Sequence, residues 1–112
     1  MVLYVNKDNS IQLTRGDTAR ISVPIVNDST NSPYELGESD KLTLTIKRKE
    51  TDSWALMQKV VTGSNSFHIL PSDTRDLSFG KYVYDIELTT STGDVYTVIE
   101  PATFEILKEV TW

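Results

Sequence analysis

The sequence predicts a small all-β protein, folded as a sandwich of about seven to nine antiparallel strands in one domain spanning residues 1–112. Clusters of turn-forming residues recur about every 8 to 15 residues, which is the spacing of sandwiches and barrels. Residues 41–49 and 81–89 alternate apolar and polar side chains with a period of two, as half-buried strands do. One short helical turn is predicted near residues 72–77, with Ser72 or Asp73 at its start.

Composition narrows the classes of function. The 11 Lys and Arg against 16 Asp and Glu give a net charge of −5, so the chain lacks the positive surface that nucleic acid requires. There is no cysteine, which excludes disulfides, thiolate catalysis and thiolate metal sites. No apolar run is long enough to span a membrane, and residues 1–7 lack a signal-peptide pattern, so we expect cytoplasmic synthesis.

Three strands are predicted in the N-terminal part of the chain, at residues 3–7, 11–14 and 18–26, followed by a polar loop over residues 27–33. The third strand alternates cleanly between apolar and polar side chains. Proline cannot donate a hydrogen bond to a neighbouring strand, so Pro24 predicts that this strand lies at a sheet edge or bulges.

The middle of the chain is less regular. Residues 53–62 are predicted to form a strand, with a helix over residues 54–61 as the alternative. Trp54 is a candidate for the tryptophan that sandwiches of this size bury in their core.

The C-terminal part, residues 67–106, is predicted to close one edge of the sandwich. A strand and the helical turn are predicted before strand 81–89, and residues 91–94 are predicted to form a hairpin turn after it. Pro101 is predicted to end the next strand, and residues 103–107 are predicted to form the last strand. Gly80-Lys81-Tyr82 resembles a tyrosine corner, in which a hydroxyl bonds the backbone a few residues upstream, here around Asp76 to Leu77. This feature favours an immunoglobulin-like sandwich over a barrel.

Three sets of residues could carry chemistry. Arg15-Gly16-Asp17 spells the integrin-binding tripeptide, although a β-turn with glycine at its special position is the favoured interpretation. His68 is the only histidine and is predicted to face outward from a strand. The loose acidic set comprises Asp73, Asp76, Asp85, Glu87 and Asp94. Asp85 and Glu87 share one strand face, but a solvated face and helix capping explain this set better than calcium binding or catalysis. No catalytic, cofactor-binding or metal residue is predicted.

The ends of the chain favour an interaction surface. Both termini and the first strand are candidates for edge pairing with another copy or a partner protein. Trp112 and the exposed tyrosines are residue types that interfaces use, and a monomer with a few exposed aromatic side chains is the alternative.

Five segments together carry a family resemblance: residues 13–19 (LTRGDTA), 71–77 (PSDTRDL), 79–86 (FGKYVYDI), 93–95 (GDV) and 104–106 (FEI). They resemble small structural proteins of phages and prophages of Gram-positive bacteria. They are also similar to the N-terminal immunoglobulin-like domain of the phage baseplate upper protein family. The resemblance extends from about residue 10 to 109 and is weakest over residues 50–66.

The resemblance implies a non-enzymatic virion protein of the tail or baseplate that docks onto other virion subunits, without nucleic acid, membrane or cofactor. Longer members carry a receptor-side extension after this domain, so we expect a free-standing adaptor or decoration module here. One alternative is a carbohydrate- or host-surface-binding module, for which Tyr34, Trp54, Tyr96 and Trp112 would have to cluster. An enzyme would require a pocket that joins His68 to two carboxylates.

Overall fold

The computed structural model describes the backbone of Leu3–Tyr4 and all of residues 9–27 and 29–108. The prediction of an all-β sandwich with one short helical turn is confirmed, and strands make up 53 % of the chain. The elements are β1 (Leu3–Tyr4), β2 (Ile11–Thr14), β3 (Ala19–Ser22), β4 (Val26–Asn27), β5 (Ser32–Pro33), β6 (Lys41–Lys47), β7 (Met57–Thr62), β8 (Ser66–Ile69), α1 (Pro71–Thr74), β9 (Gly80–Thr89) and β10 (Val95–Leu107).

The main layer is a five-stranded sheet in the order β2-β10-β9-β6-β7. The β3–β8 pair and the short β1-β4-β5 sheet complete the described fold. Apolar side chains from the five-stranded sheet and from β8 form one buried cluster, because alternate residues of each strand point to the same side. Its largest fully buried members are Phe67, Phe104, Leu42, Leu44, Ile46, Ile69, Ile86, Leu88 and Ile106.

The two strands with the strictest sequence alternation are the central pair of this sheet. On β6, Leu42, Leu44 and Ile46 are fully buried, and the residues between them are half-buried. β9 alternates in the same way along its whole length, and it pairs with β6 in antiparallel register. The predicted inward and outward faces of both strands are therefore confirmed.

Pro24 and Pro101 have different effects on the strands that the sequence predicts around them. The predicted strand 18–26 is divided: β3 ends at Ser22 and pairs with β8, whereas β4 pairs with β1 and β5, and exposed Pro24 lies between them. Pro101 does not end a strand as predicted. It lies inside β10, where the register against β9 shifts between Ile99 and Ala102. Such a bulge leaves a residue unpaired, so the missing amide hydrogen costs no ladder bond.

Sheet order differs from the prediction in two respects. β2 pairs with β10 in parallel, while every other described strand pair is antiparallel. In the five-stranded sheet the stretch 67–106 does not close an edge, because β9 and β10 are interior strands of that sheet and its edges are β2 and β7. Neighbouring strands of a sheet need not be neighbours in sequence, and alternation within one strand carries no information on its partners.

Residues 53–62 follow the favoured strand prediction, with β7 beginning at Met57. Trp54 is not a core residue, since 76 % of its surface is exposed. It lies in the connection between β6 and β7, ahead of the first residue that pairs with Ile46. The aromatic residues of the described core are instead Phe67, Tyr82, Tyr84 and Phe104.

The helical turn is shorter than predicted and covers only Pro71–Thr74. Its start is stabilised by Asp73, whose carboxylate accepts a hydrogen bond from the Leu70 amide at 2.7 Å. Leu77 packs against the core just after the turn, as the sequence predicts. The turn therefore carries the chain from the β3–β8 pair to the five-stranded sheet.

A tyrosine corner joins this crossover to β9. The Tyr82 hydroxyl donates to the Ser78 carbonyl at 2.7 Å, and the ring is buried. Gly80 has φ +133°, a backbone conformation that side chains with a Cβ rarely adopt. The predicted corner is confirmed, with its acceptor one residue beyond the predicted Asp76–Leu77.

Tyr82→Phe is expected to lower the free energy of unfolding by about 1 kcal/mol, because the Ser78 carbonyl loses its donor while the ring stays packed. Urea unfolding followed by tryptophan fluorescence measures the change. The matched control is Tyr96→Phe, whose hydroxyl has no hydrogen-bond partner within the described ranges. Equal costs for the two variants would contradict a specific role for the corner.

Candidate functional site

The Arg15-Gly16-Asp17 tripeptide is a structural turn between β2 and β3, as the favoured interpretation has it. Gly16 has φ +82°, and its amide donates to the hydroxyl of buried Thr74 at 2.9 Å. The Arg15 guanidinium carbon lies 4.5 Å from the centre of the Phe79 ring, within cation–π distance. The turn thus ties β2 to α1 and to the start of β9.

His68 is exposed on β8, opposite Arg20 of β3, so its predicted outward orientation is confirmed. Within the ranges that the structure describes, no three His, Cys, Asp or Glu side chains lie where they could hold a metal ion. The acidic residues named from the sequence are spread over the fold. Asp73 lies at α1, Asp85 and Glu87 on β9, and Asp94 at the β9–β10 hairpin.

The Asp40 side chain holds two loops together at one end of the sandwich, the β5–β6 connection and the β9–β10 hairpin, and no sequence motif marks this residue. One carboxylate oxygen accepts from the Tyr34 hydroxyl at 2.9 Å and the Gly37 amide at 3.0 Å; the other accepts from the Ser91 amide at 3.1 Å. The Gly37 bond is the largest influence on the pKa of Asp40, which lies below its usual value although burial opposes ionisation. Asp40 is therefore a buried, ionised structural residue.

Lys59 lies on the inner face of the edge strand β7, beside Leu44 of β6. Its ammonium group donates to the His68 carbonyl at 2.8 Å and to the Asp73 carboxylate at 2.5 Å. Burial favours the neutral form of Asp73, but the bonds from Lys59 and the Leu70 amide outweigh it and lower the pKa of Asp73. A charge that points inward from an edge strand disfavours pairing of that edge with another copy of itself.

The aromatic residues proposed for a carbohydrate site do not cluster among the described residues. Tyr34 and Tyr96 are half-buried and pack against the core, near the loops that Asp40 joins. Trp54 lies at the opposite end, because the Leu56 amide two residues later bonds the Ile46 carbonyl. Trp112 falls outside the described residues.

Three exposed apolar side chains lie on the edge strand β7 or in the connection that leads into it. Trp54, Leu56 and Val60 are 76 %, 45 % and 54 % exposed. β7 is an end strand, so one side of its backbone has no partner in this sheet. We call Trp54, Leu56 and Val60 together the β7 surface. The sequence pattern does not distinguish these exposed side chains from core side chains, because both faces of residues 54–62 carry apolar side chains.

Beside the β7 surface, the outer face of the sheet has a half-open pocket of about 110 Å³. Its lining includes Val83 and Asp85 on β9, Thr45 and Lys47 on β6, and Pro101 of the β10 bulge. Glu87 follows on the same face of β9. Asp85 is half-buried, and burial first, then the charge of Glu87, raises its pKa against the opposing effect of Lys47.

A scan against protein-family models gave no match, and a search of curated proteins gave none either. None of the described helical structure has the length and apolar character that a membrane-crossing helix requires.

Proposed function

We propose that this chain is a non-enzymatic structural or accessory protein of a phage or prophage virion, in the tail or baseplate. It acts as a docking module that binds other virion subunits through a sheet edge and adjacent loops. The observation that carries the docking role is the β7 surface, where Val60 is exposed on a strand with an unpaired side and Trp54 and Leu56 are exposed in the connection that leads into it.

The assignment to a virion rests on the family resemblance. Three of the five resembling segments form the β2–β3 turn, α1 and the start of β9, which contact one another through the Gly16–Thr74 and Arg15–Phe79 interactions. These contacts are scaffold, so a protein that shares them shares the fold of the docking module. The β7 surface lies within residues 50–66, where the resemblance is weakest. A shared scaffold explains why the segments that contact one another resemble the family. A surface specific to one partner explains why the resemblance is weakest over residues 50–66.

Trp54 is the expected anchor of this surface. Tryptophan is enriched among the residues that dominate binding energy at interfaces, and it supplies a large apolar area with few rotatable bonds. A partner strand added to β7 would cover Leu56 and Val60 on the outer face and bond the free backbone groups of the edge.

The virion assignment is tested by purifying particles from an induced culture of the bacterium that encodes the chain. Mass spectrometry of the particles is expected to detect the chain in fixed stoichiometry with tail proteins, and immunogold labelling is expected to mark the tail or baseplate. Its absence from purified particles, with abundant chain in the cell lysate, would overturn the proposal.

The docking surface is tested with two valines of nearly equal exposure on the same sheet, Val60 at 54 % and Val95 at 57 %. Val60→Lys is expected to reduce incorporation of an epitope-tagged chain into particles at least about tenfold, because it puts a charge in an apolar contact. Val95→Lys, at the start of β10 and three strands away from β7, is expected to leave incorporation unchanged. Equal incorporation of the two variants would contradict docking through β7.

Self-association through the same edge is the second partner class, and sedimentation of the purified chain measures it. The inward charge of Lys59, which the Asp73 carboxylate binds, opposes edge-to-edge pairing of two copies. We therefore expect a monomer in solution and a different virion subunit as the partner. A concentration-dependent dimer that Val60→Lys abolishes would assign the β7 surface to self-association instead.

A further inference from the structure

We propose that the pocket beside Asp85 receives a cationic side chain, arginine or lysine, of the docking partner. This inference rests on the proposed docking function and names the chemistry of the partner. It starts from the β10 bulge, where the register against β9 shifts on both sides of Ile99. The bulge opens the outer face next to Asp85, which a regular ladder would leave flat.

The carboxylate of Asp85 lacks a partner of its own. Within the described ranges it makes no hydrogen bond or ion pair, although it is half-buried. Lys47 is the cation that opposes the rise in its pKa, but the Lys47 ammonium donates to the Asp52 carbonyl at 3.0 Å. A partly desolvated carboxylate in this position is stabilised by an incoming positive charge.

The residues around Asp85 favour a ligand with a positive charge at the end of an aliphatic side chain. Asp85 and Glu50 line the pocket against Lys47, so carboxylates outnumber ammonium groups two to one, and Glu87 adds a third carboxylate nearby. Val83 and Pro101 supply apolar walls for the methylene groups of a lysine or arginine. A divalent metal would need about six or more oxygen ligands, and Lys47 would repel it.

The pocket is placed where a partner bound at the β7 surface would also reach it. Asp85 pairs with Thr45, and Thr45 pairs with Gln58 of β7. The pocket and the exposed Leu56 and Val60 are therefore on one outer face, two strands apart. A partner segment that carries a basic residue beside apolar residues would contact both.

Nuclear magnetic resonance of the full-length ¹⁵N-labelled chain tests the proposal. The probes are Nα-acetyl-arginine methylamide and the lysine analogue, with the citrulline analogue as the uncharged control. Both cationic probes are expected to shift the amides of residues 83–86 and 99–102, and the citrulline analogue is expected to shift them at least about fivefold less. Which cation binds more tightly identifies the partner side chain.

Asp85→Asn is expected to reduce these shifts at least about fivefold at equal probe concentration, and Asp94→Asn is expected to retain them. Because Asp85 has a raised pKa, its replacement removes an unfavourable charge and the variant should fold at least as stably as the parent. Equal shifts with citrulline, unchanged shifts in Asp85→Asn, or larger shifts with calcium chloride would each overturn the proposal. If the probes bind at Asp85 but the chain is absent from virions, the cation-binding pocket is supported and the proposed virion function is refuted.

Discussion

Asp40→Asn is expected to lower the free energy of unfolding by about 3 kcal/mol at pH 7. The Asp40 carboxylate accepts from the Tyr34 hydroxyl and from the amides of Gly37 and Ser91, all of them donors. An asparagine amide group replaces one acceptor oxygen by a donor, so at least one of these part-buried bonds is lost. The β5–β6 connection and the β9–β10 hairpin, which the Asp40 side chain joins, would then be held less firmly.

The cost of this substitution is expected to depend on pH in a defined direction. The folded-state pKa of Asp40 lies below the value of 3.8 for an unperturbed aspartate, because the Gly37 amide bonds the ionised form. The stabilisation is therefore fully present above about pH 4 and is lost as the pH falls through the folded pKa. Urea unfolding at pH 7, 4 and 3 should show the difference between parent and variant shrinking with acidity.

Asp94→Asn, in the hairpin next to Ser91, is the control for loss of a carboxylate. Its side chain is exposed and, among the residues that the structure describes, bonds only the nearby Thr92 hydroxyl at 3.3 Å, so a change of under about 0.5 kcal/mol is expected. A cost for Asp40→Asn that is similar to this control, or that does not vary with pH, would contradict the role assigned to Asp40.

Phe104→Ala is expected to lower the free energy of unfolding by about 4 kcal/mol, the largest effect among the substitutions considered. Phe104 is fully buried on β10, where it pairs with Tyr82 of β9 and with Ile11 of β2. Its ring contacts Tyr84 edge to face, with 5.9 Å between the centroids. The truncation removes this packing and leaves a cavity at the centre of the main sheet.

A loss of this size is a large part of the total stability of a domain of this length, which is about 5 to 15 kcal/mol. Thermal and urea unfolding measure it, and loss of the folded state at 37 °C also agrees with the prediction. Phe79→Ala is the matched control: that ring is 41 % exposed and contacts Arg15, so about 1 kcal/mol is expected. A cost below about 2 kcal/mol for Phe104→Ala would show that its site collapses without a cavity.

The sequence alone does not determine either candidate surface, the β7 surface or the pocket beside Asp85. Val60 and Val61 are adjacent valines, and the sequence alone does not say which faces the core. Pairing of β6 with β7 puts Val61 beside buried Leu42 and leaves Val60 outside beside Thr43. The pocket depends on the β10 bulge. In the sequence, Pro101 at this position predicted the end of a strand and not a bulge.

What the sequence determined by itself was the class of fold and its local devices. Strict alternation predicted β6 and β9 with their correct faces, and glycine with tyrosine predicted the corner at Tyr82. These features depend on contacts within one strand or across a few residues, which a linear pattern records. The tertiary structure decided the parallel β2–β10 pair, the edge position of β7 and the three bonds to Asp40. Each of these joins segments whose contact depends on how the sheets assemble, and local periodicity carries no information about that assembly.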